Sequence, residues 1–399
     1  MKTNLALLGL LAGSLVVALL LAEMTLRLLG ITYPSFYMHD PDRGGQHRPG
    51  AMGWWLKEGK SYVHINSDGL RDREHSLAKP ANVLRIAILG DSYAEALQVE
   101  PDQAFWAVME KRLAHCAAIS SQQVEAINFG VSGYGTTKEL ITLRKHVWKY
   151  QPDLVLLAFL TGNDIRDNSP ILSQDPSLPH ATLENGKLIF HASTAVPPPR
   201  TTRFLYNTGL IGLLDRSYLA QMLYHIWRQL LHPPAVIVEP LDTRRAARTA
   251  RNAGLEFGLD DWVYAPPATP AQKEAWLVTE ALIRQMNREV RTGGARFFLA
   301  TLSNGIQVNT DRSARETFMR EMNVSDLFYP DRRIAALAKN DGIQHLTLAP
   351  ELRSWAETHR TCVHGFINGR PCEGHWNEHG HREAGERMAD AVCAMLGRH

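Results

Sequence analysis

"LRIAILGDSYAEA", residues 84–96, passes from an aliphatic run into Gly90-Asp91-Ser92 and then into residues that favour helix. A strand that ends in a tight turn and a helix is the repeating unit of a parallel sheet, and a near-continuous apolar run means burial on both faces. Four more runs have this character: "VEAINF" (124–129), "DLVLLAFL" (153–160), "ARFFLATL" (295–302) and "IQHLTLA" (343–349). Amphipathic stretches at 103–115, 136–150, 271–291, 328–339 and 378–396 read as helices between and after them. The expected fold is a three-layer α/β/α domain around a mostly parallel, five-stranded sheet.

The chain has 399 residues, with 43 Lys plus Arg against 41 Asp plus Glu, and it carries no dense basic run. That balance argues against nucleic acid as a partner. The stretch Leu5–Ala22 holds no charge and follows Lys2, and its 18 residues are enough to span a bilayer. A cleavable signal would want small residues at −3 and −1 of its cut, and a cut near Ala22 would put Leu20 at −3. An uncleaved anchor is therefore expected over residues 1–30. Lys2 stays in the cytoplasm, partly offset by Arg27, and the bulk of the chain lies on the far side of the membrane.

Residues 31–80, with Trp54, Trp55 and Asn66-Ser67-Asp68-Gly69, read as turns and short strands that lead into a main domain over 81–399. The paired tryptophans suit core packing or stacking on sugar rings. Within the main domain an insertion is expected at about 168–268. It holds a hairpin, "PHATLENGKLIFHAS", turning at Asn185-Gly186. It also holds an apolar stretch, 209–231, that suits a core helix, a lid or a membrane-surface helix.

Ligands bind doubly wound sheets outside the carboxyl ends of the strands. The loops there are Gly90-Asp91-Ser92, Gly130-Val131-Ser132-Gly133-Tyr134-Gly135, Thr161-Gly162-Asn163-Asp164 and "CEGHWNEHGH" (372–381). Singly, each is an ordinary turn, cap or surface histidine, and Glu373 with His375, His379 and His381 has a spacing that also suits a metal. Jointly, they supply a serine hydroxyl, a histidine able to take its proton near neutral pH, and amide donors for a developing oxyanion.

The four blocks, in this order, resemble the SGNH (GDSL-type) hydrolase family, from Asn66 to the carboxyl terminus apart from the insertion. The resemblance implies a flavodoxin-like strand order and an acyl-enzyme at Ser92, with His375 as base. It puts the oxyanion hole at Ser92, Gly133 and Asn163, and it implies no metal or organic cofactor. Family members carry an aspartate two or three residues before the histidine; here Cys372 and Glu373 stand there, and Glu373 is the expected orienting acid. "INSDGLRD" (65–72) with an amino-terminal anchor is similar to a membrane-anchored bacterial branch. That implies a periplasmic domain acting on acylated, chiefly O-acetylated, extracytoplasmic glycans. An acyltransferase, a lipid esterase and a non-catalytic glycan-binding or scaffold domain are the rivals, the last supported only by the missing aspartate.

The cysteines are Cys116, Cys362, Cys372 and Cys393. Cys362 and Cys372 bracket a glycine-containing loop just ahead of His375, and a disulfide between them is expected. Cys116 and Cys393 either pair or lie buried on the first and last helices.

Overall fold

The computed structural model describes residues 2–119, 122–207, 209–231 and 259–397. The chain opens with helix α1 (Lys2–Leu29). Two small antiparallel ladders follow, β1 (Tyr37–Met38) with β2 (Gln46–His47) and β3 (Met52–Trp55) with β4 (Ser61–His64). The main domain starts at β5 (Val83–Gly90), which runs into the single-turn helix α2 (Ser92–Glu95) and then α3 (Phe105–Leu113). After β6 (Gln123–Asn128), α4 (Thr136–Thr142) continues with a wider turn at Leu143–Val147 and a tighter one at Trp148–Tyr150. Next come β7 (Leu154–Phe159), the hairpin β8 (His180–Glu184) with β9 (Lys187–His191), and α5 (Tyr218–Leu231). The chain closes with α6 (Pro270–Thr292), β10 (Arg296–Thr301), α7 (Tyr329–Asn340), β11 (Gln344–Thr347), α8 (Ala349–His359) and α9 (Glu378–Leu396).

Five strands form one parallel sheet in the order β11-β10-β7-β5-β6. Renumbered along the chain this is 2-1-3-4-5, the flavodoxin-like order. Every residue of β5 and β7 is buried, because both faces of the sheet are covered. Leu84, Ile86, Ile88 and Leu156 point into a core closed by α3, α8 and α9. Ala87, Leu89, Val155 and Leu157 point into the opposite core, closed by α4, α6 and α7. Helix α8 had no expected counterpart in the sequence; it follows β11 directly and completes the first layer.

The strand order reverses at β5: β6 lies on one side, and β7 on the other, with Gly90 registered against Ala158. The loops that leave β5 and β7 therefore diverge and open a crevice between them. Ser92 and Asn163 stand at its two lips.

Phe36, Ala51, Val63 and Ile65 of the lead-in form a small core with Leu97 of the main domain. The lead-in is stitched to the main domain where Lys60 N donates to Gln98 O at 3.2 Å and Ser61 Oγ donates to Leu97 O at 2.5 Å. In the insertion, the hairpin turns at Asn185 and Gly186, both at positive φ, while residues 232–258 lie outside the described residues. The cysteines form two disulfides, Cys116–Cys393 and Cys362–Cys372, with Cα atoms 5.8 and 5.0 Å apart.

Candidate active site

Asp91 ends β5 and caps α2: its Oδ1 accepts from Tyr93 N at 2.9 Å. The cap turns the chain sharply and puts Ser92 at a helix start, where free amide dipoles point outward. Ser92 Oγ lies 2.9 Å from His375 Nε2. The other ring nitrogen, His375 Nδ1, lies 2.6 Å from Glu58 Oε2, and the backbone amide of His375 donates to Glu58 Oε1 at 2.8 Å. One carboxylate thus grips both the ring and the main chain of the histidine.

Glu58 comes from the turn between β3 and β4. Trp55 Nε1 donates to its carbonyl at 2.8 Å, and the Asn368 amide clasps the same turn, donating to Gly59 O at 2.7 Å and accepting from Gly59 N at 2.9 Å. The approach also depends on Gly374, whose φ is +78° and where a Cβ would fall 2.3 Å from Glu58 Oε1. The histidine side is set by a short β-bridge between His364, inside the loop that the Cys362–Cys372 disulfide closes, and Trp376, just beyond it. Gly365 N donates to His375 O at 2.9 Å, and Tyr93 packs its ring 5.0 Å from that of His375 while its hydroxyl donates to Gly374 O at 3.0 Å.

Burial disfavours the charged form of His375, but the hydrogen bond and charge of Glu58 outweigh it and hold the imidazole above its ordinary value. Glu58 is likewise pushed up by burial, yet His375 holds it below the usual carboxylate value. Asp91 is fully buried, which raises it to about 6. His364, buried against Ser303 Oγ at 2.9 Å, is lowered to about 4 and so stays neutral.

Glu373, the expected acid, is not on the histidine. Left-handed turns at Cys372 and Gly374 carry its side chain away, and it pairs with Arg370 at 3.1 Å on the surface. Nothing in sequence spacing marks Glu58, which lies 317 residues before His375. Its only local sign is a Glu-Gly turn in the aromatic stretch "GWWLKEGKSY".

Asn163 starts the short helix Asp164–Asp167 without capping it; its Nδ2 instead donates to Asp91 Oδ2 at 3.3 Å, leaving a second N–H on that nitrogen. Gly133 has φ +73° and no heavy atom within 4 Å of where a Cβ would stand, so its backbone borders open space. His381 is buried, stacked on Phe105, and accepts from Phe105 N at 3.3 Å, which removes it from any shared ligand set with His375. Among the described residues, no group of three or more His, Cys, Asp or Glu is arranged to hold a metal ion.

No family model matches the chain, and no curated protein matches it. Solved structures do. The acetyl xylan esterase AlAXEase is similar at 12% identity over 78% of this chain and 98% of its own, with a TM-score of 0.36. An acetylxylan esterase from Geobacillus stearothermophilus is similar at 12% identity over 79% and 94%, with a TM-score of 0.36. An α/β hydrolase enzyme from the metagenome of Lake Arreo, Spain, is similar at 13% identity over 80% and 97%, with a TM-score of 0.37.

Proposed function

We propose that this chain is a serine esterase of the SGNH type that works through an acyl-enzyme at Ser92. The observation that carries the reading is the unbroken chain Glu58–His375–Ser92, with contacts of 2.6 and 2.9 Å. His375 Nε2 takes the Ser92 proton as Oγ attacks the ester carbonyl, and then returns it to the leaving alcohol. Water repeats the cycle to release the acid. Glu58 keeps the proton on Nδ1 and offsets the charge of the imidazolium. The developing oxyanion is met by the amide of Ser92, the amide of Gly133 and the free N–H of Asn163, groups worth roughly 10²- to 10³-fold each in rate.

The favoured substrate is an O-acyl, chiefly O-acetyl, ester on an extracytoplasmic glycan. Helix α1 would hold the enzyme in the bacterial inner membrane, with the rest of the chain on the periplasmic side. In support, the most apolar 18 residues within Ala6–Leu29 have a mean hydropathy of 2.3 and are entirely unburied. A non-catalytic role loses its one support, the missing acid, because Glu58 stands at the histidine.

The test is acetate release from acetylated polysaccharide. Ser92→Ala should cost at least about 10³-fold while leaving the fold intact, as expected when one member of a catalytic unit is lost. A variant that keeps a tenth of the rate sinks the assignment, and acyl transfer to added sugar in place of acid release would recast the enzyme as a transferase.

A further inference from the structure

Where α1 ends, at Gly30, the chain forms the wall of a cavity of about 410 Å³. Phe36, Trp54, Trp55 and Tyr224 line it, on the lead-in, the β3–β4 hairpin and α5. Its position is pinned to the last turns of α1. The Glu23 carboxylate accepts from Ser217 Oγ at 2.8 Å, Tyr218 N at 3.1 Å and Leu219 N at 2.9 Å, and so caps the start of α5. Arg27 adds a bond to Arg216 O at 2.6 Å and sits 4.7 Å over the Tyr218 ring.

The 24 residues from Ala6 to Leu29 rise about 36 Å at 1.5 Å each, which exceeds a hydrocarbon layer of about 30 Å. The last turn of α1 therefore reaches the headgroup zone, and the cavity opens there. Three further features suit that level. Leu210, Leu213 and Leu223 are exposed on the segment tied to Glu23 and Arg27, at 42%, 62% and 54%. Trp54 and Trp55 have the amphipathic rings that collect at membrane interfaces. Lys57 and Lys60 are exposed with their ammonium groups 5.4 and 5.2 Å from the Trp55 and Trp54 rings.

The wall offers little to a hydroxyl-rich ligand. Thr32 Oγ1 donates to Gln221 Oε1 at 2.6 Å and Tyr33 N donates to the same oxygen at 2.9 Å, so these polar groups are already spent within the wall. An apolar occupant with an anionic head fits better.

We propose that this cavity takes an acyl chain of a membrane phospholipid, with Lys57 meeting the phosphate. The proposal rests on the reading of α1 as a membrane anchor. The full-length protein is placed in nanodiscs of phosphatidylcholine and phosphatidylglycerol, in which part of the lipid carries a terminal diazirine on one acyl chain. After irradiation, label is expected on peptides spanning residues 30–37 and 54–57 as well as on α1. Ser35→Trp, which fills the cavity, should lose the first two and keep the third. Its reaction with a fluorophosphonate at Ser92 reports folding, and Leu56→Trp replaces it should that reaction fail. Label confined to α1, or cavity label unchanged by filling, overturns the proposal. Carbonate extraction separates the two readings: release from the membrane defeats the anchor itself, whereas a retained protein with an unlabelled cavity defeats only the lipid site.

Discussion

Two influences oppose each other at His375, and their balance sets a pH dependence. Burial would lower the imidazole, and Glu58 raises it further than burial lowers it, to a value above 6.5. The proposed catalysis needs the neutral ring, so the acid limb of kcat/KM should have its midpoint above 6.5, with activity falling as pH drops through it. Glu58→Gln removes the raising influence. It should move that limb to lower pH and cost at least about 10²-fold in kcat, since the tautomer is no longer held. An unmoved limb would mean that Glu58 does not govern the base. Stability follows the opposite direction: the raised value contributes stability that is in place below the ordinary histidine value and is lost as pH rises through the shifted one. Glu373→Gln serves as the contrast. Its partner Arg370 is 52% exposed, and a pair of that kind is worth about 0–1 kcal/mol, so the turnover rate should stay near wild type. Ser92 was legible because it follows an aliphatic strand, and His375 because it stands just ahead of a helix with its own pattern. Glu58 was not, because a glutamate in a hairpin turn carries no periodicity to distinguish it from any solvated turn residue.

The β3–β4 hairpin meets the chain around the disulfide-closed loop, and Gly374, two residues beyond Cys372, lies against Glu58. A methyl there collides with Glu58 Oε1 and strains a positive φ. Gly374→Ala is therefore expected to lose activity by at least about tenfold, through displacement of a positioned group, with the melting temperature changed far less than a core truncation would change it. Equal loss in a Gly374→Ala, Glu58→Gln double variant would tie the effect to that contact, whereas additive losses would refute it. Replacing Cys362 and Cys372 together with serine should lower stability by about 2 to 3 kcal/mol from loop entropy alone, read by denaturant titration. The elements themselves were legible where one period dominated: the apolar runs match β5, β6, β7, β10 and β11 to within a residue or two. Helix α8 was not, since "APELRSWAETH" shows only Ala349, Leu352 and Ala356 buried, too few apolar positions to announce a helix beside so short a strand.

At the scale of the molecule, the parallel sheet was readable because burial on both faces leaves near-continuous apolar strands, and the crevice followed from where the order of strands reverses. How the lead-in would dock was not readable, since its contacts join residues far apart in the chain, through side-chain pairs such as His47 with Glu95 and His75 with Glu125 and through backbone carbonyls such as Leu97 O, and no local pattern announces such pairings. The Cys116–Cys393 bond, bridging 277 residues, has a consequence of its own. It turns most of the main domain into a covalent ring, which restricts the unfolded chain by an entropy worth on the order of 5 kcal/mol. Cutting such a ring once opens it without releasing anything. A specific protease site placed at the exposed Asn185-Gly186 turn would divide the 399 residues into pieces of 185 and 214, since 399 − 185 = 214. The first piece carries Glu58 and Ser92, and the second carries His375. Without reductant the nicked protein should migrate as one body and keep the proposed esterase activity across two polypeptides. With reductant under denaturing conditions it should part, and separation without reductant would show that the ring is never closed.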